Sequence, residues 1–451
     1  MREVAVRLGV LTLVAVGIAA PAQAQMSVDG FTGYEKVLTG GANAGEPAVT
    51  VGPHGKPLLV SLMGCTIAVS QDRGATFTSR PSPADPGPTP GDPQHNCSDP
   101  QSAIGPNGDL YTGLGWWDTP GGAVDYYNMY VSRSTDDGRT WGGPVYATGD
   151  NDLAQNLLLG RNTGHTDRLF LATDASTDTL YASATDFPRL VRWVRASHDH
   201  GTSFGPLHAI DSNDYPQVQG EQGGDYIPAA ANGQVAFAYA ASVTPDGRTC
   251  PCGTFETSRD DGATWDRHAA PFPANWVAAD PTHAGRFTIM SGQGVTATPA
   301  SPGAIALATT ADSGRTWSRT ILLHDDGHPK IEPWIAYSPR GVLGVGYKAL
   351  NSGLIDQPTY FFEALAGQLS YTYEYWTAVS FDGGETFSAP LKVSNVPSPP
   401  GSGQGDDFAS IALDDHYLYA AWGDQRKSPL DATPVPVTTY LGRVPLSAYR
   451  P

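Results

Sequence analysis

The sequence predicts an all-β chain made of seven similar units, on the strength of two internal repeats and their spacing. The first repeat is Ser/Thr-x-Asp-x-Gly-x-Thr/Ser followed by an aromatic residue. It occurs six times, at Ser70–Phe77, Ser134–Trp141, Ser197–Phe204, Ser258–Trp265, Thr310–Trp317 and Ser380–Phe387, with starts 64, 63, 61, 52 and 70 residues apart. In the second, an acid opens an apolar strand and a turn residue follows seven positions later. The pairs are Glu46/Pro53, Asp99/Pro106, Asp167/Asp174, Asp225/Asn232, Glu332/Pro339 and Asp407/Asp414. A fifth unit keeps the register before Asp280-Pro281, with Ala274 in the acid's place. At about 62 residues per unit, the 451-residue chain less its first 24 residues holds seven.

Each element has a local reason. In the first repeat, Asp accepts bonds from nearby backbone N–H groups, Gly tolerates positive φ, and the closing aromatic packs on a sheet, so each copy closes a hairpin. After each turn of the second repeat comes another strand, as in 58–62, 110–116, 235–240, 341–347 and 417–422, and then a third strand leading into the first repeat.

Composition excludes several classes. The net charge is −18, and no basic run could build a patch that releases counterions from a phosphate backbone, so nucleic acid is not an expected partner. Met1 to Ala24 reads as a secretory leader. Arg2 and Arg7 precede the apolar run from Leu8 to Ala20, and Ala22-Gln23-Ala24 fits a small-x-small cleavage site. The chain is therefore expected to be secreted, extracellular or periplasmic, with no membrane span. Export permits disulfides, and the four cysteines allow three pairings. Cys65 with Cys97 is the preferred bridge. That leaves Cys250-Pro251-Cys252 as a local loop staple.

The six copies of the first repeat match the Asp box, and the chain resembles the sialidase-like superfamily of β-propellers, also described by their BNR repeats. The resemblance covers nearly all of residues 25–451 and implies one domain, a seven-bladed β-propeller of four-stranded blades. A six-bladed sialidase-type propeller with an irregular C-terminal addition is the alternative. The box joins the two outer strands of a blade on the face away from the active site, so it marks architecture and carries no chemistry. The last unit lacks a box. Its third strand is expected at 438–445, and 34–38 would supply its missing outer strand and close the ring.

In such a propeller the first residue of each innermost strand lies at one rim, with the loop joining the second and third strands. Glu46, Asp99, Asp167, Asp225, Glu332 and Asp407 would form a rim of carboxylates. A feature repeated in six of seven units reads first as hydrogen bonding between blades, and second as acid/base pairs or a calcium site. No EF-hand or HExxH spacing accompanies them, so the metal is left open and no cofactor is expected.

Residues that break the repeat say more. The third unit gives His165 and Arg168 beside Asp167; the sixth gives His328, Lys330, Glu332 and Trp334, with Tyr347 and Lys348 at the end of its second strand. His95 leads into the second inner strand. Trp116-Trp117-Asp118, Asp186 and Trp422 to Arg426 end other second strands. Histidine supplies a base near neutral pH, and aromatic rings suit the C–H faces of sugars.

Against the family pattern one departure stands out. The Phe-Arg-Ile-Pro motif of sialidases would fall near Ala44-Gly45-Glu46-Pro47, so Gly45 stands where the first arginine belongs. Arg168 and Arg426 are the remaining candidates for a carboxylate clamp, which argues against authentic sialic-acid hydrolysis. Three functions follow. One is a secreted sialidase-like glycoside hydrolase using Glu332 with Asp407 or Asp167, with Trp116, Trp117 and Trp334 in the sugar subsites. Another is a uronate-specific polysaccharide lyase, in which His165, His328 or Tyr347 removes the proton and Lys330 or Arg168 neutralises the carboxylate. The third is a non-catalytic glycan- or protein-binding propeller. The first two require an extracellular oligo- or polysaccharide, and a monomer suffices for all three.

Overall fold

The computed structural model describes residues 25–28, 31–38, 45–88, 96–118, 126–147, 166–186, 191–210, 227–243, 249–291, 303–351, 372–398, 408–426 and 437–450. Their strands form seven antiparallel sheets, six of four strands and one of five. Each sheet is built from strands consecutive in sequence, apart from the last. The innermost strands are Ala48–Val51, Asn96–Ile104, Thr166–Asp174, Ala229–Ala231, Trp276–Ala279, Lys330–Tyr337 and Ala409–Leu413, which define blades 1 to 7. Each packs against its neighbour in the next blade, and Ala409–Leu413 packs against Ala48–Val51. The chain is a closed seven-bladed β-propeller.

Position in the blade dictates composition. Ala48–Val51 and Ala409–Leu413 are buried at every residue because sheets cover them on both sides, and they read as unbroken apolar runs. The outermost strand of blade 1, Thr78–Pro81, is exposed or half-buried throughout and ends in proline, as suits a short edge.

Blade 7 takes its outer strands from the other end of the chain. Phe31–Leu38 pairs with Thr438–Pro445 from Tyr34↔Arg443 to Leu38↔Thr439, the closure expected from the sequence. Gln25–Val28 then adds a fifth strand, with Gln25 opposite Tyr34. On the inner side, Ser410 Oγ–H donates to Pro47 O at 2.7 Å and accepts the Val49 N–H at 2.8 Å, which ties blade 7 to blade 1.

The six Ser/Thr-x-Asp-x-Gly-x-Thr/Ser segments share one hydrogen-bond pattern. In the first, Asp72 Oδ1 accepts the Thr76 N–H at 2.7 Å, and Oδ2 accepts its hydroxyl at 2.6 Å. Ser70 Oγ meanwhile accepts the Gly74 N–H at 2.8 Å. The residue between Asp and Gly is left-handed in all six, with φ of 60° at Arg73, Asp137, Asp261 and Ser313, 58° at His200 and 73° at Gly383. Glycine follows because φ stays positive and space is short; at Gly314, where φ is 92°, a Cβ would lie 2.5 Å from Phe255 Cδ1.

That left-handed residue is also where the preceding blade attaches. Arg443 Nη1–H donates to Arg73 O at 2.9 Å, and Gln71 Nε2–H to Asp137 O at 2.6 Å. Tyr181 Oη–H donates to Asp261 Oδ1 at 3.0 Å, and Gln234 Nε2–H to Ser313 Oγ at 3.1 Å. One turn therefore closes a hairpin and joins two blades.

Two outcomes test this. Removing residues 25–38 uncovers the ladder edge of Thr438–Pro445, so the shortened protein should unfold at lower temperature and self-associate in light scattering; unchanged melting and a monomer would contradict the closure. The turn carboxylates set the acid limit. The Thr140 N–H and hydroxyl hold Asp136 down to about 2 from 3.8, and Asp260 and Asp312 are lowered by the hydroxyl and N–H of Thr264 and Thr316. A carboxyl lowered on folding stabilises the fold above its unfolded value and loses that contribution as pH falls through its folded value. Denaturation midpoints should thus drop from about pH 4 towards pH 2, and the drop should shrink in Thr140→Val.

Candidate functional site

The strand-opening position is a distinct backbone feature. Pairing in the inner hairpin skips two residues between Ser98 and Gln101, Asp167 and Phe170, and Ile331 and Trp334. Within these bulges Asp99, Arg168 and Glu332 have φ of 43°, 63° and 47°, matching 47° at Glu46 in blade 1. Blade 3 thus carries Arg168, and not Asp167, at the strand-opening position. Counting back from the strand end in blade 7 gives Phe408 and not Asp407. The sequence reading slipped by one because it equated Asp174 and Asp414 with Pro53, Pro106 and Pro339. Asp174 and Asp414 instead match Ser338, one residue earlier, since all three accept the N–H two residues on.

The rim acids join blades. Glu46 Oε2 accepts the Asp99 N–H at 3.1 Å, and Asp99 Oδ2 accepts the Arg168 N–H at 2.9 Å, linking blades 1, 2 and 3 in series. Each of these two carboxylates, candidates for a calcium site, commits an oxygen to the next blade.

Arg168 crosses the centre of the ring. Its guanidinium carbon lies 4.8 Å from the ring centre of Phe408, and Phe408 meets Phe170 edge-on at 5.8 Å. Phe170 reaches Trp334 at 6.4 Å. Blades 3, 6 and 7 therefore touch across the axis, and aromatic rings fill the channel at this level.

Glu332 and Arg426 occupy the same rim in neighbouring blades, each held by protein partners. Glu332, 2% exposed, pairs with the fully buried Lys348 at 2.5 Å. Lys348 Nζ lies 4.6 Å from the ring centre of Tyr373, whose hydroxyl donates to Gly423 O. Arg426 donates from Nε to Asp424 Oδ2 at 2.8 Å and stacks 4.2 Å above Tyr440. The two residues anchor blade 6 to blade 7.

The densest chemistry lies where blade 5 runs into blade 6, in His324-Asp325-Asp326-Gly327-His328-Pro329-Lys330. Asp326 Oδ1 accepts Lys330 Nζ–H at 2.5 Å and the His328 N–H at 2.9 Å, and Oδ2 lies 3.2 Å from His324 Nε2. His328 Nδ1 is 3.7 Å from Oδ2. On its other side, His324 Nδ1 is 2.9 Å from the hydroxyl of buried Tyr347. Trp376 lies 4.7 Å from the His324 ring.

Charge follows from this packing. Burial would raise the Asp326 carboxyl, but the bonds from Lys330 and the His328 N–H outweigh it and hold the group below the ordinary range. Burial pushes the His324 imidazole down, with help from Lys330 and against Asp326, and pushes the Tyr347 hydroxyl well up. At neutral pH the cluster holds an ionised carboxylate, a neutral imidazole and a protonated phenol. Asp326 is about one-third exposed, and His328 more so.

His328, Lys330 and Tyr347, named from the sequence, are thus brought together. His324 and Asp326 were missed, because only residues from His328 onward line up with the inner-strand repeat; the density of titratable groups over 324–330 was the available signal. His165, His95, Asp225 and Asp407 lie outside the described residues. Asp167, Trp116, Trp117, Cys250 and Cys252 sit in strands described by their backbone only; Trp116 pairs with Asn128 and Cys252 with Ala241. Cys65 and Cys97 form the expected disulfide, with Cα atoms 5.1 Å apart, joining blade 1 to blade 2.

No family model and no curated protein matches the chain. Among solved structures it is similar to a protein of unknown function from Dyadobacter fermentans, with 14% identity, 78% of this chain and 95% of that one covered, and a TM-score of 0.46. It is similar to the Hadza microbial sialidase Hz136 at 15% identity, with 87% and 74% covered and a TM-score of 0.47. The WD40 repeats of RRP9 reach the same TM-score of 0.47 at 12% identity, with 91% and 97% covered. A sialidase and a WD40 propeller are equally near, so these likenesses concern the fold.

The Glu332–Lys348 pair gives a sharp stability test. Lys348→Met leaves a buried carboxylate without its cation and should cost about 3–5 kcal/mol in urea unfolding, with much of that recovered by adding Glu332→Leu. Equal midpoints for the wild type and Lys348→Met would show that the pair does not hold the blade.

Proposed function

We propose that the chain is an exported carbohydrate-active protein that acts on an extracellular glycan from the rim of blade 6, as a sialidase-like glycoside hydrolase. The observation that carries this reading is Asp326, a partly exposed carboxylate kept ionised by Lys330 and His324. Groups with shifted protonation beside a substrate-accessible rim are characteristic of acid/base sites.

An ionised Asp326 suits the nucleophile or base of glycoside hydrolysis, and the proton donor must then be a second carboxylate. In this proposal that acid is Asp407 or Asp167, the remaining rim acids. Glu332 is set aside because Lys348 neutralises it. Trp376 and Trp334, with Trp116 and Trp117 from blade 2, supply aromatic faces for sugar rings. Sialic acid is not the proposed substrate, since Gly45 replaces the first clamp arginine and Arg426 is bound to Asp424.

Export is supported by the leader-like residues 1–24 and by the Cys65–Cys97 disulfide. No helix among the described residues is long and apolar enough to cross a membrane.

A second reading, glycan binding without turnover, is favoured by the rim acids themselves: Glu46 and Asp99 bond to neighbouring blades and Glu332 is ion-paired. The lyase reading is weaker, because Lys330 is committed to Asp326 and not to a substrate carboxylate.

Purified protein incubated with neutral and uronate-containing glycans separates the three. Hydrolysis makes new reducing ends, lysis makes an ultraviolet-absorbing product, and binding alone makes neither. Asp326→Asn should lower turnover by at least about 100-fold without changing the melting temperature; full activity in that variant would remove Asp326 from the site.

A further inference from the structure

Tyr347 is completely buried, so its hydroxyl cannot reach a ligand at the rim, yet it ends an unbroken line of polar contacts that does. The line runs from Tyr347 Oη to His324 Nδ1 at 2.9 Å, and from His324 Nε2 to Asp326 Oδ2 at 3.2 Å. We propose that Tyr347 is a positioning residue that fixes the tautomer and ring orientation of His324, and through it the free edge of the Asp326 carboxylate.

The argument is one of donors and acceptors. A carboxylate has no proton to give, so the ring nitrogen facing Asp326 must carry the hydrogen. Nδ1 of a neutral imidazole is then a bare lone pair, and in a buried setting it needs a donor. The Tyr347 hydroxyl is that donor. The opposite tautomer would set the Nε2 lone pair against a carboxylate oxygen and leave both contacts unfavourable. The ring is also held sterically, with its centre 4.7 Å from Trp376 and 5.7 Å from Tyr347. Lys330 and the His328 N–H occupy Oδ1, and His324 occupies one side of Oδ2, which leaves the remaining lone pair of Oδ2 as the outward-facing acceptor. The role in turnover rests on the glycan-processing reading, whereas the tautomer does not.

Nitrogen-15 NMR of the full-length protein at neutral pH tests the inference independently of any glycan, with the His324 signals assigned by their loss in His324→Gln. The expected spectrum has His324 protonated at Nε2 and bare at Nδ1. Tyr347→Phe, which keeps the ring, should move the Nδ1 resonance away from its hydrogen-bonded position and raise the pH at which His324 titrates. A wild-type spectrum with the proton on Nδ1 overturns the proposal, as does an Nδ1 resonance unmoved by Tyr347→Phe. If Tyr347→Phe does not fold, the wild-type spectrum still decides the tautomer. Should that spectrum be as expected while no glycan is bound or processed, the functional reading falls and the positioning of His324 stands.

Discussion

Everything in this protein depends on how one sheet is fastened to the next. An isolated four-stranded blade buries too little apolar surface to stand alone, and its inner strand is apolar on both faces. Closure of the ring solves both problems at once, because each inner strand is covered by the sheets on either side. Two sets of polar contacts set the spacing. On the rim where inner strands begin, carboxylates in left-handed bulges reach the next backbone. On the opposite face, the left-handed residue of each Asp-x-Gly turn receives a bond from the blade before it.

This double fastening explains why the rim acids are a poor guide to chemistry. Glu46 and Asp99 repeat because the junction repeats, and Glu332 retains the position while taking Lys348 as its partner. Chemistry is better sought where the repeat is broken. Arg168 and Phe408 replace acids and meet across the axis, while the segment before blade 6 inserts His324, Asp326 and His328 with no counterpart in the other described blades.

Much of the architecture was legible in the sequence. The Asp-x-Gly turns force positive φ at two consecutive residues, and that demand leaves a readable signature. The closure by 34–38 followed from counting strands. The inner register in blades 3 and 7 did not, because an aspartate that caps a turn and a proline that follows one occupy different positions yet look alike in a spacing rule. The bulge was also invisible, since any residue can stand at its left-handed position, as Arg168 does. Of the site, His328, Lys330 and Tyr347 were found from their place in the repeat. His324 and Asp326 were not, as their meeting with Tyr347 depends on a fold-back of the chain that no periodicity records.

The strand Phe31–Leu38 completes a sheet whose other members are the last to be made. Until residue 445 is available, the seventh sheet has no place for the chain's beginning, and the first and last inner strands face water where they should face each other. Any process that threads this chain with its N-terminus leading therefore meets an open arc of blades, able to pass or to be held by a chaperone, and the ring locks only when synthesis and passage are both over.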